Sequence, residues 1–119
     1  MEIVIGILII LIALLLIYYL IAINGITSIT VEQAKEKLHN QNVQFVDVRT
    51  PAEHQLHHYQ EFIHIPLSDF IKRWNELDKD KEVIVICQNG LLSARAAKFL
   101  QNKGFQKVYN LRGGMMKWK

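Results

Sequence analysis

The distribution of apolar residues divides the chain into two unequal parts. Residues 3–23 contain no charged side chain and consist mostly of Ile and Leu. A bilayer core of about 30 Å is crossed by roughly 20 apolar residues in a helix, so this segment is long enough to span a membrane. From residue 25 onward, apolar residues come in short runs separated by polar turns, which is typical of a globular domain. We therefore predict a transmembrane anchor over 1–24 and one domain over 25–119.

Strand and helix patterns alternate along this domain, after a short polar connection over 24–28. Runs rich in β-branched and aromatic residues predict strands over 43–48, 62–65, 83–86 and 108–111. Helix patterns are predicted over 31–39, after Pro51, after Ser68 and over 93–102. Strands that alternate with helices favour right-handed crossovers and a parallel sheet covered on both faces. The predicted fold class is α/β, with three layers.

Helix start and stop signals support these elements. Thr30 with Gln33 and Thr50 with Glu53 each form a capping box. Ser68 is predicted to cap a helix that carries three apolar side chains, those of Phe70, Ile71 and Trp74. The helix over 93–102 is predicted to stop at Gly104, which adopts the left-handed conformation without steric cost. Met115, Met116 and Trp118 in the last segment are expected to pack at the core and its edge.

Charge indicates how the anchor is oriented. All 14 Lys and Arg residues follow residue 30, and residues 25–119 carry a formal charge of about +4. Lys35 and Lys37 follow the apolar segment within about 15 residues, so the positive-inside rule predicts an outer N-terminus and a cytoplasmic domain. The alternative, a cleaved signal peptide, would need a basic start and a small-residue cleavage site. No basic run is interleaved with aromatic residues, which argues against nucleic-acid binding.

The chain has one cysteine, Cys87. A single cysteine excludes an intramolecular disulfide, a CxxC redox pair and a cysteine-based zinc site. Cys87 follows the most continuous strand pattern and precedes a turn over 88–92, and ligands of parallel sheets bind beyond such strand ends. Backbone N–H groups of the turn are expected to point at the sulfur and favour its anion. A buried structural cysteine is the alternative interpretation.

Several ordered motifs resemble the rhodanese-like family over nearly the whole domain. The family's D-x-R-x-x-x-E motif resembles the segment Asp47, Val48, Arg49, Thr50, Pro51 and Glu53. Its G-H-I and I-P stretches resemble His58 and the pair Ile65 and Pro66, and its active-site loop resembles Cys87, Gly90 and Ser93. Its closing motif resembles Gly104, Phe105, Val108, Leu111, Gly113, Gly114 and Trp118.

The resemblance implies sulfur transfer without a cofactor. A thiolate at Cys87 would accept a sulfane sulfur, hold it as a persulfide and pass it to a thiol acceptor, which is covalent catalysis in two steps. The implied sulfur-binding loop is Gln88, Asn89, Gly90, Leu91, Leu92 and Ser93. The implied supporting residues are Asp47, Arg49 and His58, of which Asp47 and Arg49 are expected to orient the strand end rather than react. Arg95 follows one turn into the helix after the loop, where it is expected either to add positive potential near the sulfur or to be a surface residue.

The sequence also departs from the family pattern. Residues 88–92 carry no charge, and Leu92 stands where many members have Arg. A dianionic donor such as thiosulfate would lose a charge-assisted hydrogen bond worth roughly 1.5–3 kcal/mol. We therefore expect a protein or low-molecular-weight persulfide as donor, with thiosulfate as the alternative. His57 replaces the usual Gly before His58, and Glu61 with Phe62 replaces Gly-Ala, so that loop is expected to differ in shape.

Three alternatives remain. The uncharged loop suits a catalytically silent module that binds a partner at the membrane. A phosphatase or arsenate reductase would need an oxyanion-binding Arg six positions after the nucleophile, where this chain has Ser93. Four His residues, at positions 54, 57, 58 and 64, suggest a metal, but they lack the HExxH spacing; we predict no metal site.

Overall fold

The computed structural model describes residues 1–23 and 25–118. The helices are α1 Glu2–Ile23, α2 Val31–Glu36, α3 Pro51–Leu56, α4 Phe70–Arg73 and α5 Ser93–Asn102. The strands are β1 Thr27–Ile29, β2 Val43–Asp47, β3 Ile63–His64, β4 Glu82–Ile86 and β5 Val108–Leu111. Short 3-10 turns lie at Leu67–Asp69, Trp74–Glu76 and Gly114–Lys117. The predicted boundary at Asn24 falls outside the described residues.

The five strands form one parallel sheet in the order β1-β5-β4-β2-β3. β4 is central because its apolar run has no outward face: Val83, Ile84, Val85 and Ile86 are fully buried. Its side chains alternate between two core clusters, one for each face of the sheet. Residues of α4 and α5 belong to one cluster and residues of α2 to the other, so the predicted three-layer α/β arrangement is confirmed.

Local signals predicted most of these elements. Both capping boxes are present, at Thr30 with Gln33 and at Thr50 with Glu53. α5 and β5 have the predicted bounds, and Gly104 has a φ of +99°. These signals involve only a few neighbouring residues, so the elements could be predicted from them without knowledge of tertiary contacts.

Three predictions about elements were wrong in detail. The polar connection contains β1, which pairs with β5, and α2 ends at Glu36 instead of residue 39. Ser68 does not cap a helix: it lies within a 3-10 turn that follows Pro66 and has no side-chain cap. Ile71 is 74% exposed. β1 could not be recognised from the sequence because three residues are too few to show a strand periodicity. The strand forms only through its hydrogen bonds to β5.

The N-terminal helix is long and apolar enough to cross a membrane from Glu2 to Ile21. A signal sequence near an N-terminus can have the same length and apolar composition. Its large side chains are exposed along nearly its whole length, from Ile3 to Ile21. The helix therefore contributes little to the core of the domain.

Candidate active site

Cys87 lies at the carboxyl end of the central strand. β4 ends at Ile86, and the chain then turns through residues 88–92 before α5 begins at Ser93. The cysteine is 3% exposed and lines a cavity of about 410 Å³. The other lining residues are Val48, Arg49, Thr50, Pro51, Glu53, Pro66, Leu67, Ser68, Gln88, Asn89 and Leu92. The sulfur thus lies at the sheet edge where ligands of parallel α/β folds bind.

One hydrogen-bond donor, the Gly90 N–H, and one hydroxyl lie against the sulfur. The Gly90 N–H donates to Sγ at 3.0 Å, and the Ser93 hydroxyl lies 3.2 Å from Sγ. Sγ also lies 3.8 Å from Oδ1 of Asn89, which accepts the Leu91 N–H. Among the described residues, the expected group of loop amides is therefore one amide and one hydroxyl. Donors directed at sulfur stabilise its anion, as a thiolate or as a persulfide.

Asn110 on β5 positions both Gly90 and Ser93, and the sequence analysis missed it. Its Oδ1 accepts a hydrogen bond from the Ser93 hydroxyl, and its Nδ2 donates to the Gly90 carbonyl at 2.8 Å. The side chain is buried. The available signal was an amide residue within the otherwise apolar strand β5, because a buried amide needs hydrogen-bond partners.

The loop is also held by the C-terminal turn, which the sequence analysis assigned only to packing. The Met115 N–H donates to the Cys87 carbonyl at 2.8 Å, and the Met116 N–H donates to the Gln88 carbonyl at 3.1 Å. Gly114 has a φ of +64°, and a Cβ there would lie 2.7 Å from the Gly90 nitrogen. The absence of a side chain at Gly114 lets this turn pass directly against the loop.

Asp47 and Arg49 form a buried ion pair beside the cavity. Arg49 Nη2 lies 2.9 Å from Asp47 Oδ2, and both side chains are almost completely buried. The guanidinium also donates to the carbonyl oxygens of Glu53 and His57 and to Oε1 of Gln88. Arg49 thereby links β2, α3 and the cysteine loop. Its charge is compensated by Asp47, and the acidic residue Glu53 also lines the cavity, so the wall carries no excess positive charge.

The sequence of residues 30–119 matches the rhodanese-like domain. The chain belongs to the rhodanese-like domain family. The match begins five residues after the domain boundary predicted here, and β1 precedes it. The boundaries 1–24 and 25–119 remain a prediction.

Rhodanese-like relatives differ in how much of their length this chain covers. The chain is 33% identical over 92 residues to a thiosulfate sulfurtransferase, GlpE, of Actinobacillus pleuropneumoniae, with 77% of this chain and 85% of that one aligned. It is 35% identical over 96 residues to a candidate sulfur carrier protein, YrkF, of Bacillus subtilis. That alignment covers 80% of this chain and 52% of YrkF, so the chain spans about half of that relative.

A solved structure of a rhodanese-like domain protein from Staphylococcus aureus has the same fold. Its TM-score is 0.73 at 30% identity, with 79% of this chain and 92% of that chain covered. The parallel α/β rhodanese-like fold implied by the sequence motifs is thus confirmed.

The rhodanese-like motifs suggested His58 as a supporting residue and the position after the loop suggested Arg95, and neither lines the sulfur cavity. Arg95 is exposed on α5 and lines a groove against α1. His58 is exposed, and its Nδ1 lies 2.9 Å from the His54 carbonyl oxygen. Leu91 is also exposed and outside the cavity, whereas Leu92 lines it.

The imidazole rings of His54, His58 and His64 are stacked. The ring of His54 lies 4.3 Å from that of His58 and 3.9 Å from that of His64 between centroids. Partial burial lowers the pKa of His54, and charge on His64 and His58 lowers it further. Nε2 of His64 lies 3.0 Å from the carbonyl oxygen of Arg49. Within the described residues, no group of three or more His, Cys, Asp or Glu is arranged to hold a metal.

Proposed function

We propose that this protein is a sulfurtransferase or sulfur carrier that holds sulfane sulfur as a persulfide on Cys87. The observation that carries the proposal is the cysteine sulfur in the wall of the cavity, with the Gly90 N–H directed at it and the Ser93 hydroxyl oxygen 3.2 Å away. Relatives named as a thiosulfate sulfurtransferase and a candidate sulfur carrier support it.

The reaction needs no external oxidant or reductant. The Cys87 thiolate attacks the outer sulfur of a donor persulfide, R–S–SH; the Cys87 S–S bond forms, the donor S–S bond breaks, and the donor leaves as its thiolate. An acceptor thiolate then attacks the outer sulfur, the Cys87 S–S bond breaks, and the Cys87 thiolate returns. The Gly90 N–H donates to the cysteine sulfur before the first step and after the second.

The donor is a persulfide rather than thiosulfate. The cavity wall contains one Arg, and its guanidinium is paired with Asp47 and three further acceptors. The loop residues 88–92 carry no charge. A dianion would be desolvated at the apolar rim without a charge-assisted hydrogen bond to compensate.

We propose further that α1 anchors the chain in a membrane with the N-terminus outside and the rhodanese-like domain in the cytoplasm. The exposed apolar surface of α1 supports a lipid environment. Lys35 and Lys37, close behind the helix, support the orientation.

The test is intact mass spectrometry of the protein after incubation with a low-molecular-weight persulfide. Wild type is expected to gain the mass of one sulfur atom, which a thiol acceptor then removes. Cys87→Ser is expected to gain none. If wild type gains no sulfur while Cys87 remains alkylatable, the chain is instead a silent module, and capture of a membrane partner that is insensitive to Cys87→Ser is the expected finding.

A further inference from the structure

The hydroxyl of Ser93 lies between two hydrogen-bond acceptors. Its oxygen is 3.2 Å from Sγ of Cys87 and within hydrogen-bond distance of Oδ1 of Asn110. The Ser93 side chain is fully buried. A serine hydroxyl carries one proton and can donate it to only one of the two acceptors at a time. The position of this proton therefore decides whether the sulfur has a second donor beside the Gly90 N–H.

The cysteine loop fixes the orientation of the Asn110 amide. Nδ2 of Asn110 donates to the Gly90 carbonyl at 2.8 Å. The reverse orientation would place Oδ1 against that carbonyl oxygen, with no proton between them. Oδ1 therefore faces Ser93 as an acceptor, and no other described residue donates to it. Since Asn110 is buried, its Oδ1 loses this donor at a cost in free energy whenever the Ser93 proton turns away.

The charge on Sγ decides which acceptor the proton prefers. A neutral sulfur, as in the thiol or in the inner atom of a persulfide, is a weak acceptor, so the amide oxygen of Asn110 holds the proton. A thiolate is an ionised acceptor, and hydrogen bonds to ionised groups are roughly twice as strong as those between neutral groups. In the thiolate state the Ser93 proton turns to the sulfur, and its hydrogen bond to Asn110 is lost.

We propose that Asn110 is a positioning residue that acts through Ser93 and disfavours the free thiolate of Cys87. The inference rests on the proposed sulfur transfer and adds a control of the charge on the cysteine sulfur. When an acceptor thiolate removes the outer sulfur, Sγ keeps the electron pair of the broken S–S bond and the Ser93 proton turns to it. Loading of the next sulfur restores the hydrogen bond to Asn110. The arrangement favours the loaded cysteine over the free thiolate, which suits a sulfur carrier.

The test is a double-mutant cycle in the full chain in detergent micelles, read from the pH profile of Cys87 alkylation by iodoacetamide. The rate on the rising part of the profile, divided by the plateau rate at high pH, gives the relative thiolate fraction and removes differences in access to the cavity. Asn110→Ala is expected to raise this ratio about fivefold, because ionisation no longer breaks the hydrogen bond from Ser93. In the Ser93→Ala background the same substitution is expected to leave the ratio unchanged.

Loss of the Gly90 contact is the competing explanation, and Asn110→Asp separates it. Both Asn110 variants lose the Nδ2 donor, but a carboxylate holds the Ser93 proton more strongly than an amide does. Asn110→Asp is therefore expected to lower the thiolate ratio, and to lower it more with Ser93 present than in Ser93→Ala. Changes in the same direction for Ala and Asp, or an effect of Asn110→Ala that is equal in both backgrounds, would overturn the inference.

The charged groups that line the sulfur cavity are common to all these variants. They are Arg49, which is paired with Asp47, and Glu53. Within the described part of the chain, neither Arg49 nor Glu53 hydrogen-bonds to the side chains that are substituted. Ratios between variants therefore cancel the effect of these charges on the sulfur.

A measurement on unmutated Asn110 covers the case in which substitution at this position unfolds the chain. In difference infrared spectra of protein with isotope-labelled asparagine, the side-chain carbonyl band of Asn110 is expected to move to higher frequency as Cys87 ionises, because the hydrogen bond from Ser93 is lost. The band is expected to return when the persulfide is loaded. Ser93→Ala is expected to abolish both movements. A band that stays in place in wild type would overturn the inference.

Sulfur loading, measured by intact mass on the same samples, keeps the two proposals apart. The alkylation cycle needs no sulfur donor. A Ser93-dependent effect of Asn110→Ala in a protein that gains no sulfur would remove the sulfur-transfer proposal alone. Normal loading with an effect of Asn110→Ala that is independent of Ser93 would remove the role of Asn110 alone.

Discussion

At the scale of single residues, the cavity rim explains a preference among sulfur donors. Leu92 lines the cavity and is 52% exposed, while its neighbour Leu91 is 62% exposed and does not line it. A cation at position 92 could therefore reach a donor in the cavity, whereas a cation at position 91 could not. The two positions form a matched pair with the same loop, similar exposure and the same side chain.

We expect Leu92→Arg to raise the rate of sulfur transfer from thiosulfate about tenfold, because one charge-assisted hydrogen bond at a partly exposed rim is worth about 1.5 kcal/mol. Leu91→Arg is expected to change this rate little. Both rates are measured as cyanide-dependent thiocyanate formation, with a persulfide donor as reference. Equal gains in the two variants would indicate general attraction of anions rather than binding in the cavity.

The imidazole stack predicts a pH dependence. The pKa of His54 is lowered, first by burial and then by charge on His64 and His58, while Asp47 opposes this and Arg49 adds to it. A histidine with a lowered pKa in the native state binds fewer protons than in the unfolded state. Its contribution to stability is therefore complete above the ordinary value of about 6.5 and declines as the pH falls below it.

A proton NMR titration of the His54 ring is expected to give a midpoint below that of an exposed histidine. His64→Gln is expected to raise the midpoint more than His58→Gln, because the His64 ring is nearer. Wild type is also expected to lose more thermal stability than His54→Gln between pH 7.5 and 5.5. A His54 midpoint unchanged by both substitutions would show that the neighbouring rings do not act on it.

At the scale of elements, the cysteine loop is positioned from two sides. β5 supplies Asn110, and the following turn supplies Gly114 and the Met115 N–H. Both contacts come from the last ten residues of the described chain. The loop conformation therefore depends on the docking of this C-terminal segment as well as on β4 and α5.

A comparison of the variants Gly114→Ala and Gly104→Ala separates two effects of an added side chain, which are backbone strain and displacement of the cysteine loop. Both glycines have positive φ, so each substitution is expected to cost about 1–2 kcal/mol in unfolding free energy. The Cβ at 114 would also lie 2.7 and 2.8 Å from the nitrogens of Gly90 and Asn89, while at 104 it would meet only Lys79 Nζ at 3.7 Å.

We therefore expect Gly114→Ala to lose persulfide formation as well as stability, and Gly104→Ala to lose stability alone. Thermal melting gives the first quantity, and intact mass after persulfide treatment gives the second. Normal loading in folded Gly114→Ala would contradict the proposed contribution of this turn to the loop.

At the scale of the whole molecule, anchoring would restrict the sulfur site to one membrane face. α1 places an apolar surface on one side of a basic domain, and the Lys residues behind it favour the cytoplasmic side. A sulfur carrier held there meets donors and acceptors that are themselves at the membrane, which raises their effective concentration.

A fusion of green fluorescent protein to the C-terminus is expected to fluoresce in bacterial cells and to remain in the membrane fraction after carbonate extraction. A fusion of alkaline phosphatase at the same place is expected to be inactive, because that enzyme folds outside the cytoplasm. Fluorescence that is released by carbonate would contradict the anchor, and an active phosphatase fusion would contradict the orientation.

The sequence by itself determined those features that depend on short-range patterns. The buried run before Cys87 predicted the central strand, the capping boxes predicted the starts of α2 and α3, and the loop over 88–92 could be assigned by its position between β4 and α5. Each is encoded within a few neighbouring residues. The motifs around Cys87 then indicated the family, because they occur in order and at the right spacing.

Only the tertiary structure decided which distant residues meet at the sulfur. Asn110 and Gly114 reach the loop because β5 lies beside β4 and the chain then turns back beneath it. Arg95, in contrast, is close to Cys87 in sequence but lines two grooves outside the sulfur cavity. β1 forms because its backbone pairs with that of β5. These outcomes depend on contacts across the sheet, and side chains separated by many residues leave no local pattern from which such contacts can be read.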